Sequence, residues 1–271
     1  MATKRTLSSP KTLSELVDQF QSQGRYSFDR HEALSKLHVS ESAFKQSARR
    51  LALKGRIISP RHEFFIIVPV EYVRTGAPPA TWFIDDLMKF QKRPYYVGLL
   101  SAAALHGAAH QQPQEFQVVS ASILRPLEVG DQRIRFFHKS RIAKTPVTAV
   151  KTPTGYMQVS TPEATAFDLV RYARGAGHLQ HVATVLAELS EKIDPQQLLK
   201  TGRHEIEGSV IQRTGYLLEH FGHKPVTKPL AAWLKTKETW LIPLKAEPKP
   251  HRGQKNLRWN VIVNDVLEPD V

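Results

Sequence analysis

Three residues, His38-Val39-Ser40, separate two stretches whose apolar side chains recur at helical spacing. So short a joint holds its helices in a helix-turn-helix relation. The first of the two opens at Asp29-Arg-His-Glu32 and places Ala33, Leu34 and Leu37 on one side. The second runs over 41–54 behind the N-cap residue Ser40, with Phe44, Ala48 and Leu51 as its inward stripe and Gly55 as its end. An earlier helix is predicted from the capping box Thr12-Leu-Ser-Glu15, with Leu13, Leu16, Val17 and Phe20 inward and Gly24 as its stop. Tyr26–Phe28 is a short extended piece. Arg56–Ile58 and Phe64–Val68 are β-rich runs around the turn Ser59-Pro-Arg-His62. Three helices and then a hairpin make a winged helix.

With Phe44, Ala48 and Leu51 turned inward, the third helix shows Ser42, Lys45, Gln46 and Arg49 outward, with Arg50 at its flank and Ser40 at its start. Gln and Arg side chains pair with base edges in a major groove, while Lys and Arg meet phosphate. Arg61 and His62, at the wing tip, are placed to reach the adjacent backbone or minor groove. Winged helices also dock proteins through basic surfaces, and that use stands as the alternative.

Charge supports a polyanionic partner. Against 25 Asp and Glu the chain has 38 Lys and Arg, a formal net charge of +13. The excess falls in three blocks: residues 1–75, 133–151 and 224–271. The middle block has six basic residues and no acidic ones. There Arg133, Arg135 and Lys139 alternate with Ile134, Phe136 and His138, a period that puts cations on one strand face; Arg141 follows. That row is expected either to add backbone contacts to DNA or to keep an edge strand soluble. The segment 245–258, with Pro248, Pro250 and Gly253, reads as a basic loop.

Gly76-Ala-Pro-Pro79 marks the expected boundary between a winged helix-turn-helix over 1–75 and a larger domain over 80–271. In the larger domain, helices are predicted over Thr81–Phe90 and Tyr95–Gly107. Strands follow at Phe116–Ser120, Ile134–His138, Val147–Val150 and Tyr156–Ser160. Further helices are predicted at Ala164–Arg174, opened by the cap Thr161-Pro162-Glu163, at His178–Leu189, after the cap Asp194-Pro195, at Glu205–Phe221 and at Leu230–Leu234. Late strands at Trp240–Leu244 and Leu257–Asn264 close the chain. The expected fold class is mixed α+β or α/β.

Tyr95–Gly107, Val159–Leu169 and Leu257–Asn264 with Glu268-Pro-Asp270, taken in that order behind a winged helix, resemble the antitoxin and transcriptional regulator of the AbiE-type (type IV) abortive-infection toxin–antitoxin systems. The position before the helical Thr/Asp stretch, usually basic or polar in that family, is Ala164 here. The resemblance implies a two-domain protein whose winged helix binds double-stranded DNA at inverted repeats in its own promoter and represses the operon. It implies a larger domain that counters a nucleotidyltransferase-like toxin. The residues by themselves leave open a stand-alone winged-helix protein whose larger domain docks a partner enzyme without sequence-specific DNA binding.

No enzymatic constellation is persuasive, and neither a catalytic residue, a metal site nor a cofactor is expected. Zero cysteine excludes a disulfide framework, thiolate zinc and a Cys nucleophile. His178 and His181 share a helix face with Glu188 two turns on, without the spacing of a zinc motif. Ser101, His106 and Asp168 lack a nucleophile elbow. Gly175-Ala-Gly177 is no phosphate loop. The pairs Asp85-Asp86 and Glu205/Glu207 diverge on a helix. No apolar run reaches the ~18 residues of a membrane span, and Met1–Lys11 has no apolar core for a secretory signal. A cytoplasmic address is expected.

Overall fold

Each of the first three helices begins on a side chain that caps it. Thr12 Oγ1 accepts from the Glu15 amide (3.2 Å) ahead of α1 (Leu13–Ser22). Asp29 Oδ1 accepts from the Glu32 amide (2.8 Å) ahead of α2 (Arg30–Leu37). Ser40 Oγ accepts from the Ala43 amide (3.3 Å) ahead of α3 (Glu41–Leu53). Satisfying these amides, which have no partner within the helix, defines where each helix starts. The computed structural model describes residues 9–108, 113–222, 224–246 and 252–267. Pro248, Pro250 and the Glu268–Asp270 motif lie outside the described residues.

His38 ends α2 in the left-handed region at φ 52°, which reverses the chain within the predicted three-residue joint. Strands β1 (Ser27–Asp29), β2 (Ile57–Arg61) and β3 (Phe64–Ile67) pair antiparallel in the order β1-β3-β2. This arrangement is compatible with the predicted winged helix. The hairpin is longer than Arg56–Ile58 suggested. Its register shifts between Ile58 and Arg61, and the tip is only His62-Glu63. Leu16, Val17, Phe20, Phe44 and Ile67 are fully buried in the core beneath, each stabilising the fold by about 1.5–3 kcal/mol. The Phe28 ring stacks on Phe65 at 5.2 Å, and Phe44 meets the same ring edge-on at 5.6 Å.

Beyond this core come α4 (Ile84–Phe90), β4 (Tyr95–Val97), α5 (Leu99–Leu105), β5 (Glu115–Ser120), β6 (Leu127–Val129), β7 (Gln132–His138), β8 (Val147–Thr152) and β9 (Gly155–Ser160). The six strands form one mixed sheet of order β6-β7-β5-β4-β9-β8, with β4 antiparallel to β5 and parallel to β9. Tyr95–Gly107 is therefore a strand and a helix, not the single helix expected. Tyr-Tyr-Val suits a pleated surface, and the break falls at Gly98. A Cβ on Gly98 would lie 2.8 Å from the Val119 side chain.

The chain divides into two compact units: Met1–Pro94 with Leu124–Arg135 and Val150–Met157, and Tyr95–Ile123 with Phe136–Ala149 and Gln158–Val271. The first unit thus holds more than the three helices and hairpin. Gly76-Ala-Pro-Pro79, read from composition as a linker, is pinned inside it. The Gln132 amide donates to the Pro78 carbonyl (2.7 Å) and its oxygen accepts from the Ala80 amide (2.7 Å). Gly130, at φ 58°, lies so close that a Cβ would fall 2.1 Å from the Thr75 carbonyl oxygen. Ser27 donates to Asp86 at 2.5 Å, and the Tyr26 ring packs on Trp82.

The second unit adds α6 (Pro162–Arg171), α7 (His178–Leu189), α8 (Pro195–His204), α9 (Gly208–Phe221) and α10 (Lys228–Leu234). Asp194 caps α8 by accepting from the Gln196 and Gln197 amides. α9 starts at Gly208 rather than Glu205. A small sheet of β10 (Ile242–Pro243), β11 (Gln254–Asn256) and β12 (Val261–Val263) has the order β10-β12-β11. The expected strand Leu257–Asn264 is thus half turn, and Trp240–Leu244 contributes only two strand residues. That turn buries Trp259 so tightly against α9 that a Cβ on Gly215 would lie 2.0 Å from its ring. Among the described residues, no helix is long and apolar enough to cross a membrane.

Candidate nucleic-acid interface and the polar cluster of the second unit

α3 presents the face read from its spacing. Phe44, Ala48 and Leu51 are buried, and Ser42, Lys45, Gln46, Arg49 and Arg50 are exposed, as is the cap Ser40. Three cations on one outward face make a local positive potential. Lys45, Gln46 and Arg49 have no side-chain hydrogen bond or ion pair among the described residues, while Arg50 reaches Ser47 at 3.2 Å. Nearby acids are engaged elsewhere: Glu41 and Glu63 both pair with Arg30 at the foot of the helix.

The β2–β3 hairpin differs from its sequence reading. His62 is 88% exposed at the tip. Arg61, by contrast, folds back in the same unit, where its Nη2 donates to the Arg125 carbonyl (2.9 Å) and its Nε is buried without a partner. Burial, and then the neighbouring Arg125 charge, lower the Arg61 pKa from its usual value. Arg61 fixes the hairpin as much as it offers charge.

β7 keeps only part of the expected row of cations. Arg133 is exposed and Arg135 half-buried, both in the same compact unit as α3. Lys139 corrects the expectation. Ile134 and Phe137, three positions apart, are both buried, so the alternation breaks before Lys139 is reached. The Lys139 side chain turns inward at 13% exposure, and its Nζ sits 2.7 Å from Asp168, which solvent does not reach. It is therefore not part of an outward row.

Asp168 is the centre of a buried cluster in the second unit. It accepts from the Tyr96 hydroxyl at 2.6 Å as well as from Lys139. Burial, and then the Asp168 charge, push the Tyr96 pKa well up, so the phenol stays a donor. One turn further along α6, Arg171 forks between Glu205 and Glu207. This grip draws residues 205–207 out of helical geometry, which is why α9 begins late. Burial opposes the Glu205 charge, but the hydrogen bond and charge of Arg171, reinforced by Lys139, outweigh it and hold its carboxyl below the usual range. Tyr172 donates to the His138 carbonyl at 2.6 Å. Sequence reading missed this cluster; the available signal was Asp168, an acid set inside the apolar run Ala166–Val170.

Other candidates prove structural. Ser101 Oγ accepts from the Gln117 amide (2.9 Å), and His106 Nε2 donates to the Ser160 carbonyl (2.7 Å), so the two form no catalytic dyad. Among the described residues, no three His, Asp or Glu side chains gather to hold a metal.

The family model of the AbiEi antitoxin C-terminal domain matches residues 96–220. No curated protein matches the sequence. Among solved structures, the crystal structure of the RV2827C protein from Mycobacterium tuberculosis is similar, with a TM-score of 0.65 at 14% identity over 94% of this chain and 92% of that one. At such identity the likeness is one of fold.

Proposed function

We propose, of a chain that belongs through residues 96–220 to the AbiEi antitoxin family, that this antitoxin also represses its own operon, binding double-stranded DNA at inverted repeats of the promoter through α3. Membership implies a toxin as partner. In this reading the toxin is nucleotidyltransferase-like, and the pair works in the cytoplasm, where the operon is.

The outward face of α3 carries the reading. Its Gln46 and Arg49 are of the types that pair with adenine and guanine edges in a major groove. Lys45 and Arg50 suit the flanking phosphates, and Ser40 and Ser42 stand at the helix start. Arg133, exposed in the same unit, supplies charge for the DNA backbone, and the exposed His62 supplies a hydrogen-bonding ring; neither contact carries sequence information.

The test is a gel-shift titration on the DNA upstream of the gene against a scrambled duplex, at two salt concentrations. Gln46→Ala or Arg49→Ala is expected to cost about 1–3 kcal/mol on the native site and little on the scrambled one. Equal losses on both would contradict base readout. Equally weak binding of the parent chain to both would leave α3 as a protein-docking surface.

A further inference from the structure

Beside the Lys139–Asp168 pair the second unit holds a half-open cavity of about 180 Å³. Its walls are the 138–146 connection, the C-terminal part of α6 and the joint between α8 and α9. Four permanent cations line it, Lys139, Arg141, Lys144 and Arg171, against two carboxylates, Glu205 and Glu207. Arg171 engages both carboxylates, while Arg141 and Lys144 are exposed and form no side-chain ion pair among the described residues. The Arg171 side chain is 10% exposed, and its Nε is buried without a hydrogen-bond partner. Two exposed cations without an ion-pair partner beside a cavity, Arg141 and Lys144, are a place for an anionic acceptor.

We propose that this cavity binds a phosphate monoester, the terminal phosphate of a nucleotide. A doubly charged, tetrahedral oxyanion accepts from several directions at once, which suits the Arg141 guanidinium and the Lys139 and Lys144 ammonium groups of the 138–146 connection, with Arg171 contributed by α6. Ser140 and Thr145 add hydroxyls to the same wall. The backbone of a continuous duplex does not suit it. Phosphates on a rod are met by projecting cations, whereas Lys139 and Arg171 are recessed at 13% and 10% exposure. A terminal phosphate can enter where a duplex cannot. The ligand is thus a free nucleotide or the end of a nucleic-acid strand.

Isothermal titration calorimetry of the full chain, with AMP and adenosine as probes at low salt, tests this. AMP is expected to bind and adenosine not to. The double variant Arg141→Ala, Lys144→Ala should weaken AMP by about tenfold or more, while Lys151→Ala should leave it unchanged. Both changed residues are exposed and unpaired, and circular dichroism of the double variant checks that the fold persists. A second arm compares a 5′-phosphorylated thymidine hexamer with its 5′-hydroxyl form. Preference for the phosphorylated hexamer assigns the site to strand ends; with AMP bound and no such preference, it belongs to free nucleotides. AMP bound no better than adenosine, or equally well by the double variant, overturns the proposal.

Discussion

The ammonium of Lys139 is one of two donors to a carboxylate that solvent does not touch, the other being the Tyr96 hydroxyl. Removing one partner of a buried ion pair costs about 3–5 kcal/mol, because the remaining charge is left uncompensated. Lys139→Ala is expected to destabilise the chain by about that much in urea denaturation, with the salt dependence of the proposed DNA binding unchanged. Unaltered stability with a flatter salt slope would put the side chain on DNA instead. Period-two reading missed this because it took the alternation of Arg133 and Arg135 past Phe137, where the burial pattern has already broken. The partner lies 29 residues away at Asp168, a separation that no local pattern spans. Residues whose role depends only on their own helix fared differently: Phe44, Ala48 and Leu51 face in, and Lys45, Gln46 and Arg49 face out.

Helix starts were legible because a cap is a local device. Thr12, Asp29, Ser40, Thr161 and Asp194 all accept from amides two or three residues on. The start of α9 was not legible, because a long-range ion pair decides it. That pair has a pH signature. The folded Glu205 carboxyl titrates below its usual value, so its contribution is complete above the ordinary Glu range and disappears as pH falls through the lowered folded value. Hydrogen exchange from pH 7 to 3 should show the first turn of α9 losing protection, after correction for intrinsic rates. The drop should be much smaller in Glu205→Gln, which has no such proton to take up. An equal drop in both would remove Glu205 as the cause.

At the scale of the molecule, the division of the chain follows packing rather than composition. Proline and glycine at 76–79 look like a domain boundary, yet their partners are Gly130 and Gln132, more than fifty residues downstream. Gly130→Ala would place a methyl group against the Thr75 carbonyl at a left-handed φ of 58°. It should cost more than about 1–2 kcal/mol, a drop of a few degrees in Tm measured by scanning calorimetry. An unchanged Tm would mean that the junction yields without strain. Because the first unit is assembled from three stretches of sequence, it has a history on the ribosome. α1, α2 and α3 emerge early, but the last stretch of their unit, Val150–Met157, is made only after more than half of the 271 residues. Folding during synthesis runs from the N-terminus, and here α3 waits for a late segment of its own unit. A truncated nascent chain would then carry α3 without its finished support, so any work done by that face would begin only after synthesis has passed its midpoint.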